Sequence, residues 1–173
     1  MKKIAFLLDT DFEQAEYEDV NNQLKDKGYE TTLITTSDDK RVQGMQHSDK
    51  ADTFTADLFA KEANAADYDA LVLPGGTINA DVVRGKAAAH QLITAFNEAG
   101  KPIAAICHAP WAFINTGIVK GKTLTAYESL QTDLENAGAT FVDKAVQQDG
   151  SLITSRTPDD IPDFVTAIDK ALA

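Results

Sequence analysis

Cys107 is the only cysteine of the chain, and it stands between an apolar run, residues 102–106, and His108. A nucleophile at the tip of a strand, on the turn into a helix, is typical of α/β hydrolases. Amide groups at a helix start and a neighbouring imidazole both favour a thiolate, so the sequence predicts a reactive thiol with a lowered pKa. The alternatives are a buried cysteine that packs as a small apolar side chain and a histidine that caps or packs.

Gly75 and Gly76 follow Pro74 at the end of another apolar run, residues 69–73. Glycines leave backbone N–H groups open to a cavity because no side chain stands in the way. Together with the amide of His108, they are predicted to bind the oxyanion that forms when a thiolate attacks a carbonyl. The alternative is an ordinary Pro-Gly-Gly turn without a chemical role.

Glu13 lies a few residues after the first apolar run, residues 4–8. The spacing from Thr10 to Glu13 fits a helix capping box, which alone would explain this glutamate. The functional hypothesis places the Glu13 carboxyl across the strand ends from Cys107, hydrogen-bonded to its sulfur. Such a carboxyl is expected to keep its proton, because adjacent like charges resist joint ionisation. Glu16, one helical step further, faces the same cleft in a lesser role.

Strands and helices alternate along the chain, which predicts a mostly parallel central sheet with helices on both faces. The predicted strands are 4–8, 29–36, 69–73, 102–106, 122–126, 140–142, 145–148 and 151–154, the last two joined by a hairpin turn at Asp149-Gly150. The predicted helices are 12–27, 79–84, 86–98, a helix from Cys107 to about 116, 130–136 and 158–172, and residues 38–57 form a strand-rich excursion that turns at Gly44. In such sheets the working groups lie at the carboxyl ends of the strands, where the three candidate segments meet.

The 173 residues predict a single α/β domain, 1–173, and their net charge of −11 disfavours nucleic acid and anionic membranes as partners. No apolar stretch is long enough to span a bilayer, and the N-terminus does not resemble a signal peptide. One cysteine makes no internal disulfide, so we expect a cytoplasmic protein. Three scattered histidines and one cysteine form no metal-ligand pattern, and no cofactor is implied.

Motifs spread over nearly the whole chain resemble the DJ/PfpI family of the class I glutamine amidotransferase-like superfamily. They are residues 12–16, 69–76, 100–102, 105–110, 133–134, 136–139 and 155–160. The resemblance implies a three-layer flavodoxin-like sandwich that forms homodimers, and in some members hexamers. It is closest to the PfpI-type branch, whose members are described as peptidases, protein deglycases, glyoxalases or general stress proteins.

By this resemblance Cys107 is the nucleophile on a strained elbow, with His108 as its partner and Glu13 as the carboxyl that contacts the sulfur. The amides of Gly76 and His108 then line the oxyanion site. In peptidase-like members an acidic residue after the Gly-Gly motif reaches the histidine across a subunit interface, and Asp81 matches it best here. Where family members usually carry glycine two places after the cysteine, this chain has Ala109.

Tyr127 and Arg156 also match family positions and are expected to line the site or its interface. Their alternatives are a packed tyrosine and a surface ion pair.

Glutaminase chemistry is disfavoured because none of the three histidines lies in the C-terminal third. Asp9-Thr10-Asp11 resembles the nucleophile motif of haloacid dehalogenase-like phosphatases, but its companion motifs are missing.

These observations predict a cysteine-dependent, stress-related hydrolase or lyase of the PfpI type. Its expected substrates are reactive carbonyl compounds such as glyoxals, glycated protein adducts or peptides. The alternative from another class is a redox sensor or chaperone without catalytic activity, whose Cys107 oxidises reversibly, because both roles need an accessible, activated thiol.

Overall fold

A central sheet of seven strands organises the chain, of which the computed structural model describes every residue from 1 to 173. In spatial order the strands are β11 (Val146–Asp149), β12 (Leu152–Ser155), β8 (Ile103–Ile106), β7 (Ala70–Leu73), β1 (Lys3–Leu8), β3 (Glu30–Thr35) and β6 (Leu58–Phe59). Neighbouring strands are parallel except for the β11–β12 hairpin, which is antiparallel. The predicted mostly parallel sheet is confirmed, and so is the hairpin after Asp149.

Six α-helices and two small sheets complete the fold. The helices are α1 (Gln14–Asp26), α2 (Thr77–Arg84), α3 (Ala87–Glu98), α4 (Trp111–Asn115), α5 (Gln131–Asn136) and α6 (Ile161–Leu172). The small sheets contain β2 (Phe12–Glu13), β4 (Arg41–Gln46) and β5 (Asp49–Thr55), and β9 (Thr123–Leu124) with β10 (Thr140–Phe141). No helix of the structure combines the length and the apolar character that crossing a bilayer requires.

The central sheet is buried on both faces. Along β8, Ile103 and Ala105 belong to one apolar cluster, whereas Ala104 and Ile106 belong to the other. This alternation follows from the two-residue period of a strand. Helices α1 and α6 contribute to the second cluster, and α3 and α5 to the first, which confirms the three-layer sandwich.

The segment after β1 differs from its prediction. Phe12 and Glu13 form a short strand beside Gly44 and Met45 of β4, so the helix begins at Gln14 rather than Phe12. The capping box is also absent, since the Thr10 hydroxyl accepts a hydrogen bond from the Gln43 amide at 3.0 Å.

Gly44 does not form the predicted turn. It lies inside β4, and the chain turns at His47 and Ser48 instead. A Cβ atom at Gly44 would come within 2.7 Å of Gln14 Oε1. The glycine is therefore needed for close packing against α1 rather than for a change of direction.

Candidate active site

Cys107 lies on a strained turn at the end of β8. Its φ of +63° is in the left-handed region, which costs a residue other than glycine about 1–2 kcal/mol. Two backbone hydrogen bonds hold it there: its amide donates to the Ser155 carbonyl at 3.1 Å, and its carbonyl accepts from the Tyr127 amide at 2.8 Å. The neighbouring strand and the loop before α5 therefore fix the orientation of the thiol.

The helix after this turn begins later than predicted. Residues 107–110 form turns, and α4 starts at Trp111 and ends at Asn115. Pro110 immediately before Trp111 explains the start, because proline is accepted only at the beginning of a helix. The Cys107 sulfur therefore gains little from a helix dipole, and the nearby groups must control its ionisation.

His108 is the nearest basic group to the thiol. Its Nδ1 lies 3.1 Å from Cys107 Sγ, and its Nε2 lies 3.5 Å from the Thr77 hydroxyl. The imidazole stacks on Tyr127 with ring centroids 4.6 Å apart, and the edge of Trp111 contacts it at 5.2 Å. Burial lowers the pKa of His108, so the ring is neutral at neutral pH and can accept a proton.

Glu16, rather than Glu13, is the carboxyl beside the sulfur. The side chain is fully buried, and its Oε1 accepts a hydrogen bond from the Gly75 amide at 3.0 Å. Its other polar neighbour is the Cys107 thiol. The buried Oε2 accepts no hydrogen bond. Burial, reinforced by the charge of Glu13, raises the pKa of Glu16 to about 8, so this carboxyl keeps its proton at neutral pH.

Glu13 occupies the outer wall of the same cleft. Both of its carboxylate oxygens accept from the His47 amide at 3.2 Å, and its own amide donates to the Gly75 carbonyl at 3.2 Å. The prediction that Glu13 contacts the sulfur was wrong because Glu13 belongs to β2 and its side chain points towards the β4–β5 turn. Glu16 lies on the first turn of α1, which directs it towards Gly75.

The Gly-Gly turn supplies backbone donors to two different groups. The amides of Gly76 and His108 lie near Cys107 Sγ and favour its ionised form, whereas the Gly75 amide donates to Glu16 Oε1. Gly76 has a φ of +90°, and a Cβ there would lie 2.6 Å from the Glu13 amide nitrogen. An oxygen formed next to the sulfur therefore has the Gly76 and His108 amides available, while Gly75 positions the carboxyl.

The predicted lowering of the thiol pKa is not found. Burial raises the pKa of Cys107, and the charge of Glu16 raises it further, while the amides of Gly76 and His108 lower it. The Glu16 contribution disappears when that carboxyl is protonated, because the two groups then share no like charge. In that state burial is the main obstacle to ionisation, and the neutral His108 imidazole is the group placed to take the proton.

Asn79 is a positioning residue that sequence reasoning missed. It is 1% exposed, and its Oδ1 accepts from the Asp9 amide at 2.6 Å. Its Nδ2 donates to the carbonyls of Pro74 at 3.1 Å and Gly75 at 2.9 Å. An asparagine in the first turn of a predicted helix is a signal for such side-chain-to-backbone bonds.

The remaining predicted site residues differ in where they lie. Tyr127 lines the cleft and packs on His108, as expected. Arg156 does not line it; its guanidinium binds Asp160 and Asp143, each at 2.9 Å, in an ion pair near the surface. Asp81 is exposed on α2 and makes no hydrogen bond to His108 within the chain.

The cleft around Cys107 has a volume of about 920 Å³. It is lined by Asp11, Glu13, Ala15, Met45, Gln46, His47, Ser48, Gly76, Thr77, Ile78, Cys107, His108, Tyr127, Thr157, Pro158 and Asp159. Asp11, His47 and Cys107 are the non-glycine residues with positive φ, and all of them lie here. No three His, Cys, Asp or Glu side chains are grouped as metal ligands.

Comparison with known proteins agrees with this architecture. The model of the DJ-1/PfpI family matches residues 2–171. The chain belongs to the DJ-1/PfpI family. General stress protein 18 of Bacillus subtilis, a relative of this DJ-1/PfpI protein, is 42% identical over 165 residues, which cover 94% of this chain and 93% of the relative.

Solved structures confirm the flavodoxin-like fold of this DJ-1/PfpI chain. A two-domain protein of Anabaena variabilis, with a DJ-1/ThiJ/PfpI-like and a ferritin-like domain, superimposes with a TM-score of 0.93 and 34% identity. That match covers 99% of this chain and 48% of the Anabaena chain. DJ-1beta of Drosophila melanogaster gives a TM-score of 0.90 at 29% identity, covering 99% of this chain and 90% of the other.

Proposed function

We propose that this DJ-1/PfpI protein is a stress-related enzyme that uses Cys107 to act on reactive carbonyl compounds, on their adducts with proteins, or on peptides. The observation that carries the proposal is the 3.1 Å separation of Cys107 Sγ and His108 Nδ1 beside two backbone donors. A nucleophile next to a base is the arrangement of covalent catalysis. The similarity to a general stress protein supports a role in the stress response.

In the proposed reaction the Cys107 sulfur adds to a substrate carbonyl carbon. The thiol proton moves to His108 Nδ1, and the carbonyl oxygen becomes an oxyanion held by the amides of Gly76 and His108. With an aldehyde, return of the proton gives a neutral thiohemiacetal. With a peptide or an acylated adduct, His108 gives its proton to the leaving amine, and water later releases the acyl group from the sulfur.

Glu16 acts in this scheme as a neutral carboxylic acid. Its raised pKa and the proximity of its side chain to the Cys107 thiol allow the protonated carboxyl to donate a hydrogen bond to the sulfur. Such a donor favours the thiolate without adding a negative charge. We therefore assign to Glu16 the role that was predicted for Glu13.

A redox sensor or chaperone is the second candidate, and one observation favours it. Within the chain, His108 Nε2 faces the Thr77 hydroxyl, and the exposed Asp81 makes no hydrogen bond to the imidazole. Hydrolysis benefits from an oriented base, whereas oxidation of the thiol by hydrogen peroxide to a sulfenic acid and water does not need one. Completion of the triad by Asp81 of a second copy in a homodimer would restore the enzyme hypothesis.

The deciding experiment follows the loss of methylglyoxal and the cleavage of a fluorogenic peptide by the wild type, Cys107→Ser and Asp81→Asn. We expect turnover by the wild type and none by Cys107→Ser. Thermal unfolding curves of both proteins serve as the control that each is folded. A further loss in Asp81→Asn, together with dimers in sedimentation, supports the contribution from a second copy. Stoichiometric oxidation by peroxide without any turnover supports the sensor.

A further inference from the structure

The fixed charges on the walls of the cleft are all negative. Of the side chains that line it, Asp11, Glu13 and Asp159 are acidic, and none is a lysine or an arginine. The His108 imidazole is neutral at neutral pH because burial lowers its pKa. A molecule that reaches Cys107 therefore passes carboxylates without meeting a fixed cation.

No lysine or arginine pairs with these carboxylates. The carboxylates of Asp11 and Asp159 accept no hydrogen bond and form no ion pair, and Glu13 has only the His47 amide and, at 4.0 Å, its imidazole. Arg156, which precedes the Thr157–Asp159 wall of the cleft, has its guanidinium bound to Asp160 and Asp143. Unpaired carboxylates at the mouth of a cleft extend their potential into the space that a ligand must enter.

We propose that this cleft selects neutral or cationic carbonyl compounds and rejects those that carry a carboxylate or phosphate near the reacting carbon. Asp11, Glu13 and Asp159 are the specificity-determining residues. The inference rests on the proposed function and narrows its substrate class. Small dicarbonyls and carbonyl adducts of lysine or arginine side chains satisfy the condition, whereas oxo acids and sugar phosphates do not.

The acidic lining acts mainly on approach and not on the chemical step. Like charges lower the local concentration of an anion at a cleft, and the effect weakens as salt shortens the Debye length to about 3 Å at 1 M. Asp159 is exposed and Asp11 is half-buried, so both remain accessible to screening. A charge effect of this kind must therefore fade with ionic strength, whereas a steric effect does not.

The test compares alkylation of Cys107 by iodoacetamide and by iodoacetate. In both reactions the thiol loses its proton to solvent, the sulfur forms a bond to the CH₂ carbon, and iodide leaves with the electron pair of the C–I bond. The reagents therefore differ chiefly in charge. The rate ratio of iodoacetamide to iodoacetate is measured for the protein and for 2-mercaptoethanol, a small thiol without a charged group. We expect the protein's ratio to exceed that of the small thiol by about tenfold at low salt and to approach it in about 0.5 M NaCl.

Variants assign the effect to the named residues. Asp159→Asn and Asp11→Asn are each expected to reduce the ratio by roughly two- to threefold. Asparagine is the suitable replacement at Asp11, whose φ is +62°, because it tolerates the left-handed region. Asp26→Asn removes the same charge at the far end of α1, about 20 Å away, and is expected to leave the ratio unchanged.

The inference is overturned by a ratio equal to that of 2-mercaptoethanol, or by one that changes neither with salt nor with the two substitutions. Alkylation needs no turnover, so this result is independent of the proposed function. If the ratio behaves as expected but no carbonyl compound is consumed, the enzyme proposal fails while the charge selection stands. If methylglyoxal and glyoxylate are consumed with equal kcat/KM, the charge selection fails while the enzyme proposal stands.

Discussion

The side-chain carbonyl of Asn79 accepts a hydrogen bond from the Asp9 amide at 2.6 Å, which joins the end of β1 to the Gly-Gly turn after β7. Through its Nδ2 the same side chain holds the carbonyls of Pro74 and Gly75. The two amides that follow these carbonyls face Glu16 and the Cys107 sulfur. Asn79 therefore sets the geometry of the donors without contacting the thiol itself.

Asn79→Ala is expected to destabilise the fold by about 1–3 kcal/mol, because a buried amide and a buried carbonyl lose their partner. Displacement of the Gly76 amide also removes a donor from the sulfur, so alkylation of Cys107 near neutral pH is expected to slow by about tenfold, the effect of one unit of pKa. Asn21→Ala is the matched control, since it removes a buried asparagine bound to Thr31. Equal alkylation rates in both variants would exclude the positioning role.

Glu16→Gln is expected to change how stability depends on pH. The folded pKa of Glu16, about 8, lies above its unfolded value of 4.5, so its protonation stabilises the fold fully below the unfolded value. That contribution is lost as the pH rises towards the folded pKa. The free energy of unfolding of the wild type should therefore fall relative to the variant between about pH 5 and 8, by up to a few kcal/mol.

The measurement is urea unfolding of both proteins across that range. Glu18→Gln on the same helix, where the glutamate is half-buried rather than fully buried, is the control. Parallel stability curves for the wild type and Glu16→Gln would show that the Glu16 carboxyl ionises normally.

The same substitution is expected to change the reactivity of the thiol at alkaline pH. Above about pH 8 the Glu16 carboxyl of the wild type loses its proton, and its charge then opposes the thiolate. A glutamine adds no such charge. The alkylation rates of wild type and Glu16→Gln with iodoacetamide should therefore diverge above this pH, with the variant faster. A variant that stays slower at every pH would contradict the coupling between the two groups.

Gly75→Ala is expected to disrupt the site by steric conflict. A Cβ at this position would lie 2.6 Å from Glu16 Oε1, 2.7 Å from the Ile106 carbonyl and 2.8 Å from Cys107 Cβ. Overpacking of this kind costs about 1–3 kcal/mol and should be seen as a lower Tm together with slower alkylation. Gly85→Ala is the control, because its nearest atom is the Val82 carbonyl at 3.6 Å and its stability should change little. Similar losses in the two variants would argue against close packing at Gly75.

The sequence predicted those parts of the site that depend on short segments. The apolar run before Cys107 and the one before Gly75 each form a strand, and parallel strands bring their carboxyl ends together. Glu13 was misassigned because its direction depends on the pairing of β2 with β4, between residues about thirty positions apart. The raised pKa of Cys107 likewise depends on burial beneath several elements, which no local pattern encodes.

Trp111 is the only tryptophan of the chain, and its ring contacts the His108 imidazole with centroids 5.2 Å apart. The tryptophan fluorescence of the protein therefore originates entirely beside the reactive group. Ligand entry, protonation of the imidazole or oxidation of the sulfur can be followed optically in the unlabelled protein, in real time and without a chromogenic substrate.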